Sequence, residues 1–582
     1  MFESIDRQTE NELTERIDRE QLESHVDALA DLTRHSGSDD EREAADYVVE
    51  RLEAYGIDVE CHEYDAYISD PDDASMTVTA PSRWEVPESE LLTTSFGAST
   101  SPSGIHGEVV EVAEVSDDAL ARRNLEGKIV LTEGLPRPND VTRLEAAGAA
   151  AAVFESPTEG HLHEMIVTPV WGTPGVEEAG DVPDLPVLEI SRSAGERLRS
   201  MLDRGPVEAA VQASVTTDVF TLPCPVGTLD GRESDRYLVV GNHIDSWHEG
   251  VTDNATAVAA TLELARIFAT RDEPPHRGLI FGFWSAHSFG RYAGSTWYAD
   301  RNFPDLRENG VGYVHLDLNG LQGAETLWYQ HMAAAEDEHL TVLREVPDLQ
   351  MPDDTGISSF LGEDRPGRNS DQSFPGAGLV SVLSGARLPA ETDAGGPVGG
   401  GWWWHTPADT RDKVDIDVLV KETKLYAALA ARICESPILP FDHTRSAKAV
   451  REVIGDIDGD HPRLTDLADR AATLEASVER ANKLMDDRAQ DDMVARDAED
   501  LQIRLANLLV PALYKSRPDH HHDPALGQGR LPGLDIAEGM ADGQKRDRLF
   551  TETSLHRRAN RIADRLRQAT EAADDFVAEH SR

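Results

Sequence analysis

The 582 residues carry 108 Asp and Glu against 55 Lys and Arg, a formal charge of −53. Such a field repels phosphate and excludes nucleic-acid binding through a broad basic surface. At roughly 150 residues per domain the length predicts two to four domains, and a hydrophobic fraction of 39% supports a real core.

No apolar run approaches the ~18 residues of a membrane span, and MFESIDRQTENEL has no basic-then-apolar leader pattern. Cys61, Cys224 and Cys434 are far apart and in no metal-like spacing, so no disulfide framework is implied. The expectation is a soluble cytoplasmic protein with no membrane or nucleic-acid partner. Acidic residues spread through every segment, and only eight of the 55 cations are lysine. A surface that stays hydrated in concentrated salt, where screening removes like-charge repulsion, accounts for this texture and predicts a halophilic protein.

Residues 1–95 read as two helices and some strand. Leu22, Val26, Leu29 and Leu32 share a helical face, and Ser38 with Glu41 forms a capping-box pattern ahead of Ala44, Tyr47, Val48 and Leu52. Residues 96–220 hold short β-rich runs (Gly107–Val112, Lys128–Thr132, Pro186–Ile190) and an alanine-rich stretch, Ala146–Phe154. From 235 to 435 strand and helix alternate. Tyr237–Val240, Leu279–Trp284, Gly312–Leu316 and Leu379–Leu383 are the nearly continuous apolar runs of strands covered on both faces. Ala257, Thr261, Leu264 and Phe268 fall at helical spacing between the first two. After 436 the chain is helical. Leu464, Leu467, Ala471, Leu474, Val478, Ala481 and Met485 form an a/d seam. Leu501, Leu505 and Leu508 continue a helix until Pro511, and Leu555, Ala559, Ile562, Leu566, Ala569 and Ala573 make another stripe.

The α/β stretch concentrates candidate metal ligands. His243 ends a strand, with Asp245 two positions on; Asp253 and Asn254 open the next helix; Asp317 ends another strand; His405 precedes a helix near Asp415. Ligands of open α/β sheets bind beyond the carboxyl ends of strands. Histidine with two or three carboxylates is the ligand set of hydrolytic zinc sites.

The ordered pieces HIDSW (243–247), DNATA (253–257), FGFWSAHSFG (281–290), HLD (315–317), SDQSF (370–374) and HTPADTRDKVD (405–415) resemble the M28 family of co-catalytic zinc peptidases. GEVVEV (107–112), GKIVL (127–131) and GAAAAVF (148–154) resemble that family's protease-associated insert. ILPFD (438–442) and the helices after it resemble the C-terminal domain of the glutamate carboxypeptidase II and transferrin receptor branch. The resemblance covers almost the whole chain. It implies an α/β fold with a zinc-aminopeptidase-like mixed sheet and helices on both faces, divided as 1–95 and 221–440 for the peptidase-like domain, 96–220 for the insert, and 441–582 for a helical dimerisation domain. It also implies a homodimer and a peptide or amide substrate. One zinc would be held by His243 and Asp317 and the other partly by His405, with Asp253 bridging; Asp245 would buttress His243. One or two zincs, or another divalent metal, are expected.

The chain departs from the family where active members have Glu-Glu, base then ligand, and this sequence has His287-Ser288. Serine is a poor zinc ligand. His287 offers either a replacement ligand, completing three with Asp253 and His405, or a base with an unperturbed pKa of about 6.5. The expectation is a metal-dependent hydrolase with an altered site; the alternative is a non-catalytic binding or assembly protein on the same fold. Trp402–Trp404 and Arg387 are substrate-binding candidates, Trp404 and Arg387 foremost. His520–His522 read as ordinary loop residues, and Gly395–Gly401 has no phosphate-loop pattern.

Overall fold

The structure, a computed structural model, describes residues 7–352, 370–389, 392–457, 461–538 and 544–581. Thirteen strands lie in one mixed sheet among these residues. They are β1 (Asp58–Ala80), β2 (Trp84–Glu85), β3 (Leu91–Thr93), β4 (Ile105–Glu111), β5 (Ile129–Glu133), β6 (Ala151–Glu155), β7 (Val187–Ile190), β8 (Val207–Leu229), β9 (Tyr237–His243), β10 (Gly278–Trp284), β11 (Gly310–His315), β12 (Thr326–His331) and β13 (Val380–Arg387). The path runs β12-β13-β11-β9-β10-β8-β4-β5-β6-β7-β3. β1 and β8 pair antiparallel over nearly their whole lengths; one end of β8 pairs with β10 and the other with β4. These two strands therefore carry hydrogen bonding unbroken between the two halves of the sheet.

In the half that holds the site, β10, β9, β11 and β13 are parallel. Alternate residues of each strand enter opposite cores: Leu238 and Val240 pack on one side, Tyr237 and Val239 on the other. Helices Asp39–Tyr55, Thr256–Ala269 and Ile416–Glu435 cover the first face, and Ala293–Arg301 with Phe303–Asn309 the second. Near-continuous apolar strands follow from this double cover.

Three helices, not two, precede β1: Arg7–Glu15, Arg19–Leu29 and Asp39–Tyr55. At the last of these, Ser38 Oγ accepts from the Glu41 amide at 3.1 Å, while the Glu41 carboxylate reaches back one residue further than a capping box, to the Gly37 amide at 2.6 Å. The helix expected to stop at Pro511 runs from Asp492 to Tyr514. Proline leaves the carbonyl four residues earlier, Asn507, without its helical donor, and the Arg307 guanidinium donates to it at 3.3 Å.

The apolar stripes of Pro462–Asp487 and Lys545–His580 are buried in a common core within the single chain. Two amphipathic helices far apart in sequence thus cover each other within the chain. No described helix is long and apolar enough to cross a membrane.

Candidate metal centre

β9, β10 and β11 lie side by side in parallel register, with His243 opposite Trp284 and Gly241 opposite His315. The residues just beyond these ends, His243, His287 and Asp317, therefore converge. His243 Nε2 stands 3.1 Å from Asp253 Oδ1 and 3.5 Å from Asp317 Oδ1. Asp253 turns its other oxygen to His405, with Oδ2 3.2 Å from Nε2. Asp253 thus faces both histidines, one oxygen to each.

Loops after the strands are held by buried groups that sequence reasoning did not single out. Arg34 is buried and donates to the carbonyls of Ile244, Glu249 and Gly250, which shapes the turn between His243 and Asp253. Asp409 accepts from the amides of Thr252 and Asp253 at 3.0 and 3.1 Å and from the Thr252 hydroxyl at 2.8 Å. Burial pushes the Asp409 carboxyl up to about 7 despite these donors. Its only sequence signal was its place in HTPADT.

Asp245 lies fully buried, but its carboxylate does not make the expected hydrogen bond to His243; the separation to Nδ1 is 3.6 Å. The bond from Nδ1 goes instead to the Asp245 carbonyl oxygen, at 2.9 Å. The carboxylate is occupied by the amides of His287 and Ser288 and by the Ser36 hydroxyl, at 3.0, 2.9 and 2.8 Å. Asp245 buttresses His243 through its backbone, and its side chain ties the loop after β10 to the loop after β9.

His287 stacks on His243, with ring centroids 3.7 Å apart and planes at 16°. Its Nδ1 is 2.8 Å from Asp371 Oδ2, and Asp371 also accepts from the Ser295 hydroxyl. Asp371, from the SDQSF motif, was not singled out in the sequence. His287 groups with His243 and Asp317, whose ligand atoms all lie within 4.8 Å of one another, and not with His405. The register of β9 and β10 puts it there. Completion of the His405 side by His287 is therefore not what the geometry offers. Ser288 lines the adjoining cavity.

His405 is oriented by residues 161–164 of the β3–β8 half. Its Nδ1 donates to the Glu164 carbonyl at 2.5 Å, the Glu164 amide donates to the His405 carbonyl at 2.9 Å, and His163 Nδ1 donates to the Trp404 carbonyl at 2.6 Å. Trp404 is buried, stacks on His405 at 3.6 Å and lines a cavity of about 420 Å³ together with Asp253, His287 and Asp317. Arg387 lines it too, but its guanidinium donates to the carbonyls of Asp317, Leu318 and Ala386, bracing the turn that presents Asp317. Of the looser candidates, His522 bonds Asp300 and His520 meets Phe303 edge-on, away from the cavity lining.

The protons show what the cluster holds. A carbonyl accepts and never donates, so His243 and His405 both carry a proton on Nδ1, which makes Nε2 the nitrogen turned to the carboxylates and the one that can bind a metal when deprotonated. Asp317 Oδ1, facing His243, is buried and has no hydrogen-bond donor. Each Nε2 faces a carboxylate oxygen across a gap that either a proton or a bound cation can bridge, and nitrogen with carboxylate oxygen suits zinc. Burial opposes charge on His243, yet Asp245, Asp253 and Asp317 hold its pKa well above the ordinary value. Against the same burial, His243 holds Asp253 and Asp317 well below the usual carboxylate range, with His405 acting on Asp253 and His315 on Asp317.

The site is thus a cluster of histidines and carboxylates at the carboxyl ends of parallel strands in a mixed α/β fold. Residues 226–430 match the profile of peptidase family M28, and the chain carries an M28 peptidase domain over them. A probable glutamate carboxypeptidase of Zea mays, VP8, is 24% identical over 490 residues, covering 71% of this chain and 66% of the maize protein. The aminopeptidase NAALADL1 of Mus musculus is 31% identical over 163 residues, 27% of this chain and 21% of the mouse protein. The chain thus spans about two thirds of one relative and a fifth of the other. Among solved structures, BSAP, a zinc aminopeptidase from Bacillus subtilis, superposes with a TM-score of 0.53 at 20% identity, covering 71% of this chain and 94% of that one. That likeness is one of fold.

Proposed function

We propose that this protein is a metal-dependent hydrolase of peptide or amide bonds with an altered proton-transfer group. The observation that carries the reading is Asp253, whose two oxygens face Nε2 of His243 and Nε2 of His405. His243, Asp253 and Asp317 would hold one zinc, and Asp253 and His405 would take part in holding a second. Zinc there would polarise the scissile carbonyl and acidify a water.

His287 takes the place of the family's glutamate base. Asp371 accepts its Nδ1–H, leaving Nε2 to receive the proton of the attacking water. As the C–N bond breaks, the same nitrogen returns that proton to the leaving amine. Trp404, stacked on His405, walls the cavity and excludes water. The proposed division keeps 96–220 as an insert that orients His405 through residues 163 and 164, supported by the bonds to Trp404 and His405.

Metal content and turnover together test this. With zinc supplied, the wild type is expected to bind metal and cleave members of a panel of short peptides and acylated amino acids. His287→Ala should retain metal while losing about 10²- to 10⁴-fold in kcat, and Asp253→Ala should lose both metal and activity. Loss of zinc in His287→Ala would make His287 a ligand. A zinc-loaded wild type that cleaves nothing would favour a binding protein on this fold.

A further inference from the structure

Arg291 is 7% exposed and lines the cavity beside His287 and Ser288. Its Nη2 donates to the Ile166 carbonyl, its Cζ lies 5.6 Å from the Tyr292 ring centroid, and its Nε has no acceptor. Burial depresses its pKa, and Tyr292 is the sole group that raises it. The other buried guanidiniums are answered. Arg277 meets Glu499, Arg432 meets Glu10 and Glu338, Arg34 meets a ring of carbonyls, and Arg387 meets carbonyls with Glu422 at hand. In a chain with 108 acidic residues, a buried cation with no carboxylate close by and a donor left unanswered among the described residues is an exception. It is a costly one. The backbone at Arg291 and Tyr292 is left-handed, φ 45° and 68°, which non-glycine residues adopt only when the surroundings impose it.

We propose that Arg291 is a carboxylate anchor: it binds a carboxylate of the substrate inside the cavity and selects peptides or acylated amino acids that carry one. A guanidinium with its Nε–H unanswered in a desolvated wall is matched by a carboxylate in both charge and geometry. The inference rests on the hydrolase reading for its substrate, but not for its ligand chemistry.

The test uses the zinc-loaded full chain and three acylated dipeptides: one with a free α-carboxylate, its carboxamide, and a carboxamide carrying a glutamate side chain. The wild type is expected to favour a carboxylate-bearing substrate over the neutral one by about 30-fold or more in kcat/KM. Which of the two is favoured assigns the terminal or side-chain source. Arg291→Gln should bring the ratio near one, chiefly through KM, and Arg291→Lys should retain part of it. In parallel, calorimetry measures binding of glutamate and of its diamide, which needs no turnover. If no substrate is cut, the hydrolase reading fails, and glutamate binding that exceeds diamide binding in wild type but not in Arg291→Gln still supports the anchor. Equal handling of carboxylate and carboxamide by the wild type overturns it. So does an Arg291→Gln variant that melts like wild type and keeps the preference.

Discussion

Glu189 shows how a single buried carboxyl reaches the site. One of its oxygens accepts from the His163 amide at 3.3 Å, the other has no partner, and His163 in turn holds the Trp404 carbonyl. Burial pushes the Glu189 carboxyl up to about 8. Between its ordinary value near 4.5 and about 8 the unfolded chain releases this proton while the folded chain keeps it. The unfolded state then binds fewer protons, and stability falls as pH rises through that window. One pKa unit corresponds to about 1.4 kcal/mol. Glu189→Gln should therefore stabilise the protein at pH 8 by on the order of 1 kcal/mol more than at pH 5, read from melting curves at both. An equal effect at the two pH values would show that Glu189 is ionised in the folded state.

At the scale of elements, the C-terminal helices dock on the sheet through Arg277, the residue before β10. It is fully buried, pairs with Glu499 of the helix Asp492–Tyr514, and donates to the carbonyls of Ile433 and Ser436. Removing one partner of a buried pair strands the other charge, typically at about 3–5 kcal/mol. Glu499→Ala is expected to lower unfolding free energy by about that much in urea titration. A loss under 1 kcal/mol would mean that the carbonyls alone satisfy Arg277. The helices themselves were legible, because the three-and-four spacing of Leu464 to Met485 states which face is apolar. What covers that face was not, since the answer lies more than 80 residues away, in Lys545–His580.

For the whole molecule, the charge of −53 implies self-repulsion that salt relieves, with a Debye length of roughly 3 Å at 1 M. Tm should rise as KCl goes from millimolar to molar. A flat or falling Tm would remove the halophilic reading. With the apolar stripes buried inside one chain, a homodimer rests on family resemblance. Light scattering in high salt is expected to give twice the chain mass of 63.8 kDa, and a monomer would end the proposal.

The sequence by itself determined the parallel strands and the residues just beyond their ends. Apolar runs state where a doubly covered strand lies, and the polar residue that follows such a run lies at the sheet's carboxyl edge. His243 and Asp317 were legible for that reason, whereas Asp253 and His405 lie in loops before helices and, like the departure at His287-Ser288, were legible through the family resemblance. Tertiary structure alone decided which of them meet. The register of β9 and β10 stacks His287 on His243, Asp371 arrives from 84 residues away to hold it, and Glu164 reaches across 241 residues to orient His405. Arg291 reads in sequence as one more arginine; only its burial with no carboxylate close by and with Nε unanswered marks it. Local periodicity carries the identity of an element and its faces, whereas the partner of a buried polar group is chosen by packing between distant segments, which no local pattern encodes.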